Sequence, residues 1–138
     1  MSRELRLSLT QKAMILHHVI RHLPEEACGL LGGRGETVSV VILVTNHLHS
    51  PVRFRMDPNE LLRALERLDA EGLDLVGIFH SHPRGPAMPS ETDLLEYAYP
   101  DSLMVIVSPV GEDWQLRAFE INIEMRTYQE AHLIIETE

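Results

Sequence analysis

The stretch HSHPRGPAMPSETD, residues 80–93, contains residue types that bind metal ions. On a strand, residues two apart project to the same side, so the imidazoles of His80 and His82 can meet one ion. Asp93 follows at the start of a new element and offers a carboxylate. Two imidazoles and one carboxylate leave Zn²⁺ an open fourth position for water. The spacing therefore indicates a zinc site at which chemistry can occur.

The end of the same stretch has a simpler interpretation. Residues 90–93, SETD, match the S-x-x-D capping box, in which Ser90 and Asp93 only satisfy free backbone N–H groups at a helix start. For these two residues alone, capping is the preferred explanation. It does not explain His80 and His82, because burying two imidazoles without partners costs free energy.

An open metal site also needs a group that takes a proton from water and carries it to the leaving amine. Glu25 and Glu26 stand directly before the apolar segment 27–31. Strand alternation puts Glu26 on the face of Cys28 and Leu30, whereas Glu25 is expected in an exposed turn. From this segment alone, two solvated turn residues are the simpler interpretation.

Together these residues resemble the JAMM or MPN+ (Mov34/MPN/PAD-1) metalloproteases. That family's signature is an upstream glutamate, then H-x-H-P, then S-x-x-D, with seven residues between the second histidine and the serine. Glu26, the segment 80–83 (HSHP) and the segment 90–93 (SETD) fit the signature at every functional position. The resemblance implies zinc held by His80, His82 and Asp93, with Glu26 as the general base and Ser90 as hydrogen-bond donor to the oxyanion.

The resemblance also implies an activity. Compact stand-alone bacterial members are zinc peptidases or isopeptidases that cut at the C-terminal tail of a ubiquitin-like or sulfur-carrier protein. Without long insertions beside the site, a substrate tail is expected to lie as an extended strand along a sheet edge. The alternative is a non-catalytic MPN-type interaction module with a structural metal. Nucleobase deamination is disfavoured, because a single cysteine cannot supply the P-C-x-x-C pattern.

The elements that must position these residues follow from periodicity and breakers. Helices are predicted over 9–23, from Asp57-Pro58 to Gly72, and from about Ser90. Strands are predicted over 27–31, 37–45, 75–82, 103–107 and 114–121, and the stretch from Glu124 is ambiguous. This order predicts an α/β (α+β layered) domain with a central mixed β-sheet flanked by helices, spanning residues 1–138 as a single domain. The resemblance adds a cytidine-deaminase-like JAMM/MPN fold.

Composition limits the partners. Twelve Lys and Arg against 21 Asp and Glu give a net charge of −9, which argues against nucleic acid and anionic membranes as partners. One cysteine, no signal peptide and no long apolar run predict a cytoplasmic protein. Whether the chain forms a homodimer stays open.

Other residues could be mistaken for functional ones. A second H-x-H, His47 and His49, is expected at the surface, and the histidines of the first helix, at 17, 18 and 22, are expected to be solvated. Cys28 could act as a fourth ligand, but a small buried residue beneath the site is favoured.

Overall fold

The structure, a computed structural model, describes residues 3–137. Within them lie seven strands and three helices. In chain order these are β1 (Glu4–Ser8), α1 (Leu9–Arg21), β2 (Cys28–Arg34), β3 (Thr37–Val44), α2 (Pro58–Ala70), β4 (Asp74–Ser81), α3 (Glu91–Glu96), β5 (Leu103–Val110), β6 (Asp113–Asn122) and β7 (Thr127–Glu136). The predicted mixed class of sheet and helices is confirmed.

The strands form one closed barrel in the order β1-β3-β2-β4-β5-β6-β7, with β7 returning to β1. The β1–β7 pair is parallel and runs from Glu4 opposite His132 to Ser8 opposite Glu136. On its other side β1 meets β3 at a single residue pair, Arg6 with Thr37. We refer to this contact as the seam. Because β3 pairs with β1 only at Thr37, its edge over residues 38–44 has no partner strand among residues 3–137.

Strand pairing brings the candidate site together at one end of the barrel. β2 and β4 are antiparallel, so the start of β2 lies beside the end of β4, with Cys28 opposite His80. The backbone N–H of Ser81 donates to Ala27 O at 2.9 Å, and that of His82 donates to Val107 O at 2.9 Å. The residues just before β2 and just after β4 are therefore neighbours.

The two faces of β4 pack against different apolar clusters. Phe79 belongs to a cluster that includes Ile15 and Val19 of α1. Ile78 belongs to a second cluster with Ala64 of α2 and with residues of β5 and β6. Successive strand residues face opposite sides, so His80 lies on the Ile78 face. Both predicted helix starts hold: Ser8 caps α1 in a capping box, and Asp57 caps α2 with Pro58 in its first turn.

Three features differ from the predictions. β1 was not predicted, and the ambiguous stretch from Glu124 forms β7. The strand predicted over 27–31 continues as β2 through Gly32 and Gly33 to Arg34, with a register shift on both sides. A Cβ on Gly33 would lie 1.9 Å from Thr37 O, so this glycine permits a close backbone approach that other residues could not make. No helix within residues 3–137 is long and apolar enough to cross a membrane.

Candidate metal and active site

Three ligand-type atoms converge at the end of β4. His80 Nε2 lies 3.1 Å from His82 Nε2, and Asp93 Oδ2 lies 3.1 Å from the first and 3.0 Å from the second. A tetrahedral ion with bonds of about 2.0–2.1 Å holds its ligand atoms roughly 3.3 Å apart. The triangle is therefore close to the size that one small cation requires.

Proton counting also favours a cation in this triangle. His82 Nδ1 lies 2.8 Å from Pro86 O, and because a carbonyl only accepts, this nitrogen carries a proton. In neutral His82 the Nε2 lone pair then faces the carboxylate of Asp93. A cation would satisfy this lone pair, and the Pro86 bond is the outer contact that usually orients a metal-binding histidine. The donor set fits a metal ion.

The pKa values of the triangle follow from its crowding. Burial alone would lower the pKa of His82, but the hydrogen bonds to Asp93 and Pro86 outweigh it and raise the pKa. For His80, complete burial dominates and lowers the pKa. Burial acts to raise the pKa of Asp93, yet the two imidazoles and the Ser90 N–H lower it well below its usual range. Asp93 is thus a carboxylate throughout the physiological range.

His80 is held from the side by an aromatic ring. Phe54, on the loop before α2, stacks on the imidazole with centroids 4.5 Å apart and planes at 21°. His80 Nδ1 is buried and has no hydrogen-bond partner among residues 3–137. Phe54 was not predicted as a site residue, because nothing in the order of residues relates it to His80.

Asp93 combines capping with its place in the triangle. The Asp93 N–H donates to Ser90 Oγ at 3.0 Å, while Asp93 Oδ2 accepts from the Ser90 N–H at 2.9 Å. The capping box is therefore complete. The same Oδ2 also faces both histidines, so one oxygen caps the helix and completes the triangle. Ser90 is exposed. Its hydroxyl oxygen accepts from the Asp93 N–H, which leaves the hydroxyl proton free to be donated elsewhere.

Glu26 lies beside the triangle. Its carboxylate and the ligand nitrogens of His80 and His82 all lie within 4.8 Å of one another. The side chain is only 4% exposed, and Oε1 has no partner among residues 3–137. Burial raises its pKa to about 8, with Asp93 adding to the rise and His82 opposing it. The simpler interpretation of Glu26 as a solvated turn residue is therefore wrong. Glu25, in contrast, is half-exposed and contacts His49 at 3.1 Å.

Two further residues fix the backbone around Glu26. Asn46 is buried and donates from Nδ2 to Glu26 O at 3.0 Å and to Arg53 O at 3.1 Å. Its Oδ1 accepts from the Leu48 and Arg55 N–H groups. This one side chain therefore organises the loop 46–56 around the carboxylate. Asn46 was not predicted as a site residue, because its burial and its bonds depend on how the loop folds.

Ser81, the residue between the two histidines, provides the second link. Its Oγ accepts from the Ala27 N–H at 2.8 Å, and both residues are buried. Since Ala27 follows Glu26 directly, the bond fixes the distance between the carboxylate and the histidine pair. The motif H-S-H therefore carries a positioning hydroxyl as well as two imidazoles.

The other histidines and the cysteine lie outside the triangle. His47 and His49 are exposed, as predicted. His18 is buried, contrary to prediction, because its Nε2 lies 3.0 Å from Cys28 O, which gives the ring a partner inside the protein. Cys28 is fully buried, and its thiol contacts Val44 O at 3.6 Å. Burial raises the pKa of this thiol to about 12.

The barrel, its helices and a buried histidine–carboxylate triangle define a metal-site domain of the JAB type. Residues 11–122 match the family model described as prokaryotic homologs of the JAB domain, and the chain belongs to that family. This match confirms the resemblance to the JAMM/MPN group.

Relatives agree with this assignment. The chain is 45% identical over 87 residues to a desampylase of Pyrococcus furiosus, covering 63% of this chain and 62% of that protein. It is 44% identical over 79 residues to a probable TtuB-protein conjugate cleaving protease of Thermus thermophilus, covering 57% and 53%. The chain thus spans about three fifths or less of these curated relatives. A solution structure of a Desulfitobacterium hafniense protein is similar with a TM-score of 0.85 and 34% identity, over 97% of this chain and 94% of that one.

Proposed function

We propose that this protein is a zinc-dependent peptidase or isopeptidase that hydrolyses a bond at the C-terminal tail of a ubiquitin-like or sulfur-carrier protein. The observation that carries the proposal is a buried, unpartnered Glu26 carboxylate beside the His80–His82–Asp93 triangle. The substrate class is supported by the JAB family and by relatives named as a desampylase and a TtuB-protein conjugate cleaving protease.

The three members of the triangle would hold the metal ion. Zinc, when bound, lowers the pKa of a coordinated water to about 7 and polarises a carbonyl oxygen. The Nδ1–H of His82 donates to Pro86 O, and Nε2 faces the proposed ion. The ring orientation therefore does not depend on the ion. Asp93 is held by the Ser90 N–H and offers a carboxylate oxygen that remains ionised.

Glu26 would move the proton. Its carboxylate takes a proton from the attacking water and returns it to the amine that leaves, so the peptide C–N bond breaks without releasing a charged amide. A neighbouring cation lowers the pKa of a carboxyl, so a metal ion would convert the protonated Glu26 of the metal-free protein into a working base. A structural metal alone gives no reason to bury an unpartnered carboxylate there.

Ser90 would stabilise the oxyanion. Its hydroxyl accepts from the Asp93 N–H and keeps one proton to donate, so capping and oxyanion stabilisation use different parts of the same group. The hydroxyl lies at an exposed position, where an approaching carbonyl can reach it. A positioned donor of this kind contributes about 10²–10³-fold in rate.

Replacement of Glu26 by Gln tests the proposal. The variant keeps the shape of the side chain but cannot accept a proton, so kcat should fall by about 10²–10⁴-fold. Metal content, measured by atomic emission, should stay at the wild-type value, because Glu26 is outside the triangle. Cleavage of a ubiquitin-like carrier fusion is followed by mass spectrometry, with Glu25→Gln as matched control. Full activity of Glu26→Gln would refute the mechanism.

A further inference from the structure

A second feature lies against the triangle: an apolar cavity of about 230 Å³. Most of its wall is formed by buried or half-buried apolar and aromatic side chains. These include Phe54, Met56, Leu61, Ile78, Tyr97 and Met104. His80 and Asp93 also line it, so anything bound in the cavity lies directly beside the proposed metal centre.

Two arginines on the loop 46–56 line the cavity, and they differ in one respect. Arg53 forms a two-point contact with Glu96 of α3, at 3.1 and 3.0 Å. The guanidinium of Arg55 makes no hydrogen bond and no ion pair with any of residues 3–137. Its charge contributes to lowering the pKa of Glu96. Glu96 is paired with Arg53, and Asp93 faces the two histidines, so Arg55 is the charged group of the lining without an ion-pair partner among residues 3–137.

The backbone around Arg55 is fixed even though its side chain is free. Its N–H donates to Asn46 Oδ1 at 3.1 Å, and its carbonyl accepts from the His47 N–H at 2.7 Å. The neighbouring residue Phe54 is stacked on His80. The guanidinium thus extends from a segment whose position relative to the triangle is set. In a chain of net charge −9, such a cation is a local site for an anion.

From this arrangement we infer that the cavity and Arg55 together select the residue released by the reaction. The inference rests on the proposed function. The released residue has an apolar side chain, which fills the cavity, and a free α-carboxylate, which pairs with Arg55. It is therefore the last residue of the substrate chain, and not a lysine of a second protein. Water adds to the preceding carbonyl carbon, the C–N bond breaks, and the products are a new carboxylate and a free amino acid.

Matched substrates test this selection. A ubiquitin-like carrier protein is extended by one leucine, by leucinamide or by aspartate, and kcat/KM is measured with zinc-loaded protein by mass spectrometry. The leucine form should be cut about 10–100-fold faster than the leucinamide form, as expected for a hydrogen bond between charged groups. It should also be cut faster than the aspartate form. Equal rates for leucine and leucinamide would overturn the inference.

Variants assign the effect to the residues. Arg55→Gln should remove the preference for the free carboxylate, so that the ratio of the kcat/KM values for the leucine and leucinamide forms falls to about one. Arg63→Gln, at an exposed arginine of α2, is the matched control and should keep the preference. Ala98→Phe, at an exposed residue of the cavity wall, should slow cleavage of the leucine form while sparing a form that ends in alanine. An unchanged preference in Arg55→Gln would contradict the role of that residue.

A binding measurement separates this inference from the proposed function. N-acetylleucine and N-acetylleucinamide are titrated calorimetrically into the metal-free protein, where no ion can attract the carboxylate. The acid should bind about tenfold or more tightly, and Arg55→Gln should abolish the difference. Equal affinities would refute the selection even if the enzyme is active. Absence of cleavage together with the expected binding difference would refute the proposed hydrolysis and leave the binding site standing.

Discussion

The chain contains the pattern H-x-H twice, and the two copies differ in burial and in surroundings. His47 and His49 lie in a loop, are exposed, and the second contacts the half-exposed Glu25. His80 and His82 lie at the end of β4, are 0% and 8% exposed, and share one oxygen of Asp93. Both copies lie near a carboxylate, but only the second lies at the end of a buried strand, where its two imidazoles converge on one carboxylate oxygen. Each of the following predictions tests this contrast, beginning with the largest expected effect.

Removal of either buried histidine should abolish metal binding. His80→Ala and His82→Ala each delete one of the three proposed ligands, so zinc affinity should fall by more than the roughly 10–100-fold that loss of a supporting contact costs. Activity should disappear with the metal. A competition assay with a chromogenic chelator measures the affinity. The matched variants His47→Ala and His49→Ala should bind zinc like the wild type, and weakened binding in them would break the contrast.

Ser90 follows the buried pair His80 and His82 in the sequence. Its replacement should have the next largest effect. Ser90→Ala should lower kcat by about 10²–10³-fold through loss of the oxyanion donor. It should also lower the free energy of unfolding by about 0.5–2 kcal/mol through loss of the cap. Ser90→Thr, which keeps the hydroxyl, should restore most of both. A variant Ser90→Ala that loses stability but not kcat would assign Ser90 to capping alone.

Glu26, beside the buried histidine pair, should make the stability of the metal-free protein depend on pH. The pKa of Glu26 is raised from 4.5 to about 8, so the folded metal-free protein keeps a proton that the unfolded chain releases. Stability should therefore fall as pH rises from about 4.5 to about 8, by at most about 1.4 kcal/mol per pH unit. Urea unfolding between pH 5 and 8 measures this slope.

Two controls assign that slope to Glu26. Glu26→Gln should reduce it, whereas Glu25→Gln should leave it unchanged. Saturating zinc should also flatten it, because a cation lowers the pKa of the neighbouring carboxyl. The same slope in the wild type and in Glu26→Gln would mean that other groups, such as His82, produce the pH dependence.

The exposed pair should contribute least. The His49 and Glu25 side chains are 66% and 36% exposed, and solvent screens their interaction. His49→Ala should change the free energy of unfolding by less than about 1 kcal/mol. Thermal unfolding at two salt concentrations measures it, and a loss of several kcal/mol would show that the loop pair has a structural role.

Local signals in the sequence pointed to most residues of the candidate site. The spacing of His80 and His82, the S-x-x-D box and the family resemblance located Glu26, Ser90 and Asp93, and the structure brings Glu26 and Asp93 to the histidines. The contributions of Asn46, Phe54 and Arg55 depend on how the loop 46–56 folds back over β4. Spacing along the chain does not encode that contact, so the cavity could not be predicted.

The fold shows the same limit. β4 was predictable because a continuous apolar run ends at histidines and a proline. β1 carried a period-two pattern, with Leu5 and Leu7 buried, but five residues beside a helix start gave too little signal. β7 has mostly exposed or half-buried side chains. β7 pairs with the preceding strand β6 over residues 127–131 and with β1 over residues 132–136. The β1 pairing spans most of the chain, and local propensity does not report such contacts.

This pairing sets an order of events during folding. β1 pairs with residues 132–136, which lie near the other end of the described residues. Its only other sheet contact is the single residue pair at the seam. β2, β4 and α3 can therefore assemble the metal triangle on the nascent chain while the barrel is still open. Barrel closure requires these distant segments to meet, so the backbone amides of β1 and of residues 132–136 should become protected from hydrogen exchange together and last.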